Sequence, residues 1–240
     1  MEEQRKQALP IILAIETVTS SLSTAVLQGD RLLAETTVNA DRRFVEQLPA
    51  VVNESLDKAG VTLHDLTHLA VSIGPGSFTG VRVGVAYAKG LAIGLNIGII
   101  PVLTLQALAL SISQEHPDED VVFCPMTIAR RGESFMQLFR LENGYPVEMG
   151  ELTAVTLADF LSLVGDIPVV CGGEGAVHLL GNAEDLPANV TLHHGVQAVA
   201  SDMGRCAVRL LSDEGYVVPP LDEVVPYYFK EFTVHTAGKV

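Results

Sequence analysis

Gly74-Pro75-Gly76-Ser77, followed by Phe78 and Thr79, has the composition of an anion-binding turn. Glycines bend the backbone where other residues cannot, and amides ahead of a helix N-terminus, with the Ser77 and Thr79 hydroxyls, suit a phosphate. The same residues also make an ordinary strand-to-helix turn that holds nothing. The stretch lacks the lysine and spacing of a Walker loop, and its GxGxxxG differs from the dinucleotide GxGxxG. A second glycine turn, Gly172-Gly173-Glu174-Gly175, could face the same ligand from the opposite side. A hydrolase would also need carboxylates to hold the metal of a nucleotide, and Glu16 is the only obvious one in the first half. His64-Asp65-Leu66-Thr67-His68 has i, i+4 histidines but no HExxH glutamate, and it straddles a helix end and a strand start.

The elements that would carry these residues follow from periodicity. Apolar runs at 11–17, 22–28 and 31–37, joined by Val18-Thr19-Ser20-Ser21 and by Gly29-Asp30, predict three strands in meander order. Residues 44–59 repeat Leu48, Val51, Val52 and Leu56 at helical spacing and stop at Gly60. A short helical piece at 62–66 leads into a strand at 69–73, then the glycine turn and a helix capped by Ser77. Within it Gly80, Gly84, Ala88 and Leu91 fall on one side. Four internal glycines would each cost up to about 1 kcal/mol relative to alanine, so close approach of another backbone must compensate. That backbone belongs either to the same domain or to a partner chain. A strand at 97–102 and a helix at 104–113 follow.

After the acidic link 115–120 the pattern restarts. Strands are expected at 121–127, 134–141 and 147–152, with Asn143-Gly144 as a turn. A helix at 157–164 capped by Thr156, a strand at 168–171 and a helix at 196–211 complete the chain. Each half reads as three strands followed by alternating helix and strand, an architectural duplication without residue-level repetition. We therefore expect two lobes, an N-terminal one at 1–104 and a smaller C-terminal one at 105–240, each with a mixed sheet, antiparallel at its start and parallel where helices intervene.

Composition restricts the function. With 15 Lys plus Arg against 29 Asp plus Glu, the net charge is −14, which opposes direct nucleic-acid binding; if RNA is involved, another subunit should hold most of it. Hydrophobic residues make up 48% and charged ones 18%, so the chain is rich in core or interface. Cys124, Cys171 and Cys206 are far apart and lack a CxxC pair, which indicates neither disulfides nor zinc and fits a reducing cytosol. Residues 91–113 carry no charge over a span's length, but Gly94, Asn96, Gly98 and Pro101 divide them into helix end, strand and helix.

Ile15-Glu16-Thr17, SIGPGSFTGVRVGVAYAKGLA at 72–92, PVLTLQALA at 101–109, Ala129-Arg130-Arg131-Gly132-Glu133 and the tail Pro226-Tyr227-Tyr228-Phe229-Lys230 together resemble the TsaB family, also called YeaZ. The GPGSFTGVR core is highly specific, and the similarity covers nearly the whole chain. The resemblance implies the two-lobed, actin-like ATPase (ribonuclease H-like) fold. It implies a bacterial cytoplasmic, non-catalytic subunit that pairs with its paralogue TsaD, works with the ATPase TsaE, and serves the addition of threonylcarbamoyl to the adenosine beside the anticodon of tRNAs reading ANN codons. ATP and metal are then expected on those partners and no cofactor on this chain, which would form a homodimer when alone. TsaD holds its metal with two histidines four apart; the aligned positions here are Thr104 and Leu108, which cannot replace imidazole. Other departures are Glu16 for an aspartate, Thr127-Ile128-Ala129-Arg130 for Ile-Asp-Ala-Arg, and Arg43-Phe44-Val45 for histidine, serine and glutamate.

Three functions compete on these grounds. A partner subunit would present an apolar helical face, with candidates Leu48, Val51, Val52 and Leu56 on the first helix and Gly80, Gly84, Ala88 and Leu91 on the second, unless those residues fill their own lobe. A stand-alone nucleotide hydrolase or metallopeptidase would use the possible degenerate phosphate loop Gly74, Gly76, Ser77 and Thr79 with Glu16. Direct tRNA binding would need Arg42, Arg43, Arg82, Lys89, Arg130 and Arg131 on one patch.

Overall fold

The computed structural model describes residues 9–39, 43–116, 121–181 and 186–228. Arg42, Phe229 and Lys230, singled out above, and residues 117–120 of the acidic link lie outside the described residues. Strands β1 (Ile11–Glu16), β2 (Ser21–Gln28) and β3 (Arg31–Asn39) form the expected meander. Helix α1 (Phe44–Ala59), a 3-10 turn Leu63–Asp65, β4 (His68–Ser72), α2 (Phe78–Leu95), β5 (Gly98–Val102) and α3 (Thr104–Glu115) follow. The sheet order is β3-β2-β1-β4-β5, antiparallel within the meander and parallel across β1, β4 and β5.

The second half builds the same plan. Its elements are β6 (Val122–Arg130), β7 (Glu133–Met136), β8 (Phe139–Glu142), β9 (Tyr145–Glu148), β10 (Thr153–Val155), α4 (Leu157–Val164), β11 (Val169–Gly172), α5 (Glu174–Leu180), β12 (Val190–His193) and α6 (Ala200–Leu211). The order β10-β7-β6-β11-β12 repeats that of the first sheet strand for strand, with a hairpin β8–β9 inserted beside β6. This is the arrangement of two mixed sheets, with helices between and outside them, that the resemblance implies.

Several element limits differ from the sequence reading. The strand expected at 134–141 is two strands, because pairing with β6 lapses at Gln137 and Leu138 and resumes in the same register at Phe139, opposite Phe123. Of the strand expected at 147–152 only Val147 and Glu148 are extended, as the end of β9, and β10 starts beyond it at Thr153. Helix α5 and β12 were not anticipated. The last helix starts at Ala200 rather than 196: Val199 is extended, and the Ala200 amide donates to the Ser23 hydroxyl at 2.7 Å.

Three apolar clusters hold the molecule together. One lies outside the first sheet beneath α1 and α2, one outside the second sheet, and one between the lobes. The middle cluster joins Ile12, Leu27 and Ile100 to Leu108, Phe123 and Met203, and its helices are α3 and α6. After residue 104 the chain returns to the first sheet twice. Helix α6 packs on β1 and β2, and the Tyr227 amide donates to the Ile73 carbonyl at 2.7 Å while Val224 joins the first-lobe cluster. No helix among the described residues is long and apolar enough to cross a membrane; 91–113 divides into the end of α2, β5 and α3.

The candidate face Leu48, Val51, Val52 and Leu56 points inward. These side chains are 1–5% exposed and close the first-lobe core, because the apolar stripe of α1 is the one that covers the sheet. The glycine ladder has the same cause. A Cβ on Gly80 would overlap the Thr17 carbonyl oxygen, one on Gly84 would overlap the Thr17 hydroxyl, and Ala88 is wholly buried. The close backbone is thus the end of β1 in the same lobe, and Leu91 alone of this set is partly exposed.

Candidate functional site

The ends of β1 and β6 face each other across a cleft of about 540 Å3. Its first-lobe wall consists of Val18, Thr19 and Ser20 from the β1–β2 turn, with Gly76, Ser77 and Phe78 from the turn ahead of α2. Its second-lobe wall is Thr127, Ile128 and Ala129 from β6, Gly173 and Glu174 from the turn into α5, and Leu108 from α3.

Local sequence explains each wall. Gly74 and Gly76 have φ of 101° and 147°, angles that let the chain leave β4 and enter α2 across the five residues 73–77. Ser77 then caps α2 by accepting from the Gly80 amide at 3.2 Å, and its own amide donates to the Val18 carbonyl at 3.0 Å. The expected cap is therefore in place. Of the phosphate-loop candidates, Gly76 and Ser77 line the cleft; Gly74 packs on Val81, and Thr79 is exposed on α2 away from the lining. In the second lobe, a Cβ on Gly175 would come within 2.6 Å of the Thr127 backbone, so α5 is pressed onto β6. The Ser134 hydroxyl donates to the Gly175 carbonyl at 2.9 Å and fixes the same contact.

The electrostatics are acidic. Glu16 is fully buried at the foot of the first wall, where one carboxyl oxygen accepts from the Val18 amide at 2.5 Å and the other makes no hydrogen bond. Burial pushes its carboxyl up to about 7, against the Val18 amide, which favours the charged form; nearby Glu174 adds to the rise. Glu174 was not singled out as a site residue from sequence, yet its Oε1 accepts from the Ser20 amide of the opposite lobe at 2.8 Å. A glutamate set among glycines directly after a strand is the signal that could have found it. Thr127 contributes a buried hydroxyl without a partner. Among the described residues no Lys or Arg lines the cleft. The described walls therefore offer hydroxyls, amides and carboxylates, and among the described residues no cation that would neutralise a polyphosphate.

The other sequence candidates lie elsewhere. Ser72 and Thr104, the latter aligned with a TsaD metal ligand, form a buried hydroxyl pair at 2.7 Å. Leu108, by contrast, both lines the cleft and joins the central core. His64 sits exposed in the 3-10 turn, while His68 Nδ1 meets the Thr67 hydroxyl at 3.0 Å. Among the basic residues, Arg82 lies on α2 over the Phe78 ring at 3.5 Å, with its Nε donating to the Tyr228 hydroxyl at 3.1 Å. Arg130 is paired with Glu133 at the β6–β7 turn of the second lobe. All three cysteines are buried thiols.

A second surface needs equal weight. The outward side of α2 carries Ala86, Gly90 and Gly94 at four-residue spacing, and a Cβ on Gly90 or Gly94 would meet nothing within 4 Å. Ile93 between them is 71% exposed, and Val45, 69% exposed, lies at the start of the neighbouring α1.

A family model described as TsaD, tRNA N6-adenosine threonylcarbamoyltransferase, matches residues 32–179. The tRNA threonylcarbamoyladenosine biosynthesis protein TsaB of Bacillus subtilis (strain 168) is 36% identical over 171 residues, 70% of this chain and 72% of that protein. TsaB of Escherichia coli (strain K12) is 36% identical over 221 residues, 90% of this chain and 84% of that protein. The solved structure of YeaZ from Pseudomonas aeruginosa shares the fold, with a TM-score of 0.78 at 23% identity, covering 92% of this chain and 100% of that one.

Proposed function

The chain belongs to the TsaB family of tRNA threonylcarbamoyladenosine biosynthesis proteins, and we propose that it serves this biosynthesis as a non-catalytic subunit that pairs with a TsaD-like paralogue. The observation that carries the pairing is the outward side of α2. Gly80 and Gly84 are required by Thr17 of the same lobe, but Gly90 and Gly94 have no such neighbour. Each lowers helix stability by up to about 1 kcal/mol relative to alanine, and no contact among the described residues offsets that. A smooth strip beside exposed Ile93, with Val45 on α1, is the shape on which a second helix pair packs closely. About 800 Å2 per partner is ordinary for such an interface. ATP, metal and most of the tRNA contact then lie on the partners, with a TsaE-like ATPase among them, in the cytoplasm. The acidic cleft supports that division, since its walls present carboxylates where a nucleotide's phosphates would need cations.

The test is co-purification with the TsaD-like paralogue of the same organism, followed by a threonylcarbamoyl transfer assay with and without this chain. Pairing and transfer should both require it, and Ile93→Glu should abolish both while the variant keeps its melting temperature. Wild-type pairing by a folded Ile93→Glu chain would remove this face from the proposal.

A further inference from the structure

From the cleft geometry we infer that Glu174 is a built-in anion, whose carboxylate occupies the β1–β2 turn from the second lobe and so keeps phosphate-bearing ligands out of the cleft. This inference is independent of the pairing proposed above. It rests on four features of the wall.

The Ser20 amide sits at the mouth of the cleft, and the Glu174 carboxylate takes it at 2.8 Å across 154 residues of sequence. The carboxylate is delivered by a rigid mount. Cβ atoms on Gly173 or Gly175 would collide with the Met126 and Thr127 backbone, so the turn into α5 is pressed on β6 from both sides of Glu174. The receiving turn is equally fixed: the Gln197 side chain donates to the Ser20 hydroxyl at 3.4 Å, and Ser23 caps α6. Finally, Glu16 lies buried behind the same turn, and no Lys or Arg lines the cleft among the described residues.

The physical consequence follows from charge and occupancy together. A phosphate approaching Ser20 must displace a carboxylate already bonded there and then stand beside it, and like charges at that range repel. In return, the lobes gain a cross-lobe tie that a bound ligand would otherwise supply. Ser77 and the start of α2 form the adjoining wall, so the exclusion acts on the same turn whose composition invites a phosphate.

The experiment is an amide-resolved NMR titration of the full chain with inorganic pyrophosphate, alongside hydrogen exchange of the Ser20 amide. In the wild type, Ser20 and Ser77 should not shift at concentrations up to about 10 mM. In Glu174→Ala the Ser20 amide should exchange at least about tenfold faster, and pyrophosphate should bind at least about tenfold more tightly than to the wild type, shifting Ser20 and Ser77. Glu174→Gln keeps an acceptor without the charge, so it should hold the Ser20 amide and bind pyrophosphate with intermediate strength. Binding at Ser20 by the wild type overturns the inference. So does unchanged exchange in Glu174→Ala, or a freed amide with no gain in binding. Should Glu174→Ala not fold, Glu174→Gln decides, and affinity equal to the wild type's overturns it.

Discussion

The two lobes repeat one strand order, so the turn ahead of α2 and the turn ahead of α5 are equivalent places built from different materials. Each presses a helical glycine on the first strand of its sheet or the residue just past it: Gly80 on Thr17, which follows β1, and Gly175 on Thr127 within β6. In the first lobe the helix runs on for 18 residues and leaves a bare outer side. In the second lobe it stops after 7 residues, and its first residue is a glutamate turned across the cleft. One scaffold thus carries a bare outer side in the first lobe, where we propose that another chain packs, and a cross-lobe tie in the second. The glycines look alike in sequence and differ only in what stands opposite them.

The sharpest way to break the comparison is Gly80→Ala. The added methyl would overlap the Thr17 carbonyl oxygen, which is backbone and cannot swing away, and Thr17 also donates its hydroxyl to the Gly80 carbonyl at 2.8 Å. Overpacking against fixed backbone should cost about 3 kcal/mol or more, measured by denaturant unfolding. A loss below about 1 kcal/mol would mean that β1 does not lie against α2 as described.

Glu16→Gln tests the carboxylate at the foot of the first wall. Its folded pKa, about 7, stands above the ordinary 4.5, so the protonated form is the one that folding favours. The stability it contributes is present below pH 4.5 and is lost as pH rises through 7. Glutamine mimics the protonated form. The variant should therefore match the wild type near pH 4.5 and exceed it by about 3 kcal/mol at pH 8. A pH-independent difference between the two chains would contradict the burial of an ionisable group there.

Gly175→Ala asks whether the second turn is as tight as the first. Its methyl would stand 2.5 to 2.6 Å from three backbone atoms of Thr127, a less severe collision than at Gly80. We expect a loss of about 2 kcal/mol. Faster exchange of the Ser20 amide should accompany it, because Glu174 is the next residue.

What the sequence made legible is explained by the same contrast. Ser77 as a cap, Thr156 as a cap and Gly60 as a stop act through neighbours three or four residues away, and all three stand where the sequence places them. Helix α5 was hidden because Gly173 and Gly175 read as loop, whereas their cause is the β6 backbone nearly 50 residues earlier. The strip Leu48, Val51, Val52 and Leu56 showed that α1 has an apolar face but not that the face is spent on its own sheet. Glu174 escaped for the same reason: its partner is 154 residues away.

Gly90→Ala is the smallest effect and the one that separates the two uses of glycine on α2. Its Cβ would meet nothing within 4 Å, so the isolated chain loses no contact and gains helix propensity. Unfolding free energy should rise by about 0.5 to 1 kcal/mol, opposite in sign to Gly80→Ala on the same helix. The gain should be taken back on pairing. If a partner helix lies on the strip of Ala86, Gly90 and Gly94, an extra methyl at its centre pushes the two backbones apart and weakens the pair by about threefold or more in calorimetric titration. A chain that is stabilised and pairs with undiminished strength would show that the open glycines face solvent in the complex too, and the interface would have to be sought around Phe78, Arg82 and Tyr228 at the other end of the helix.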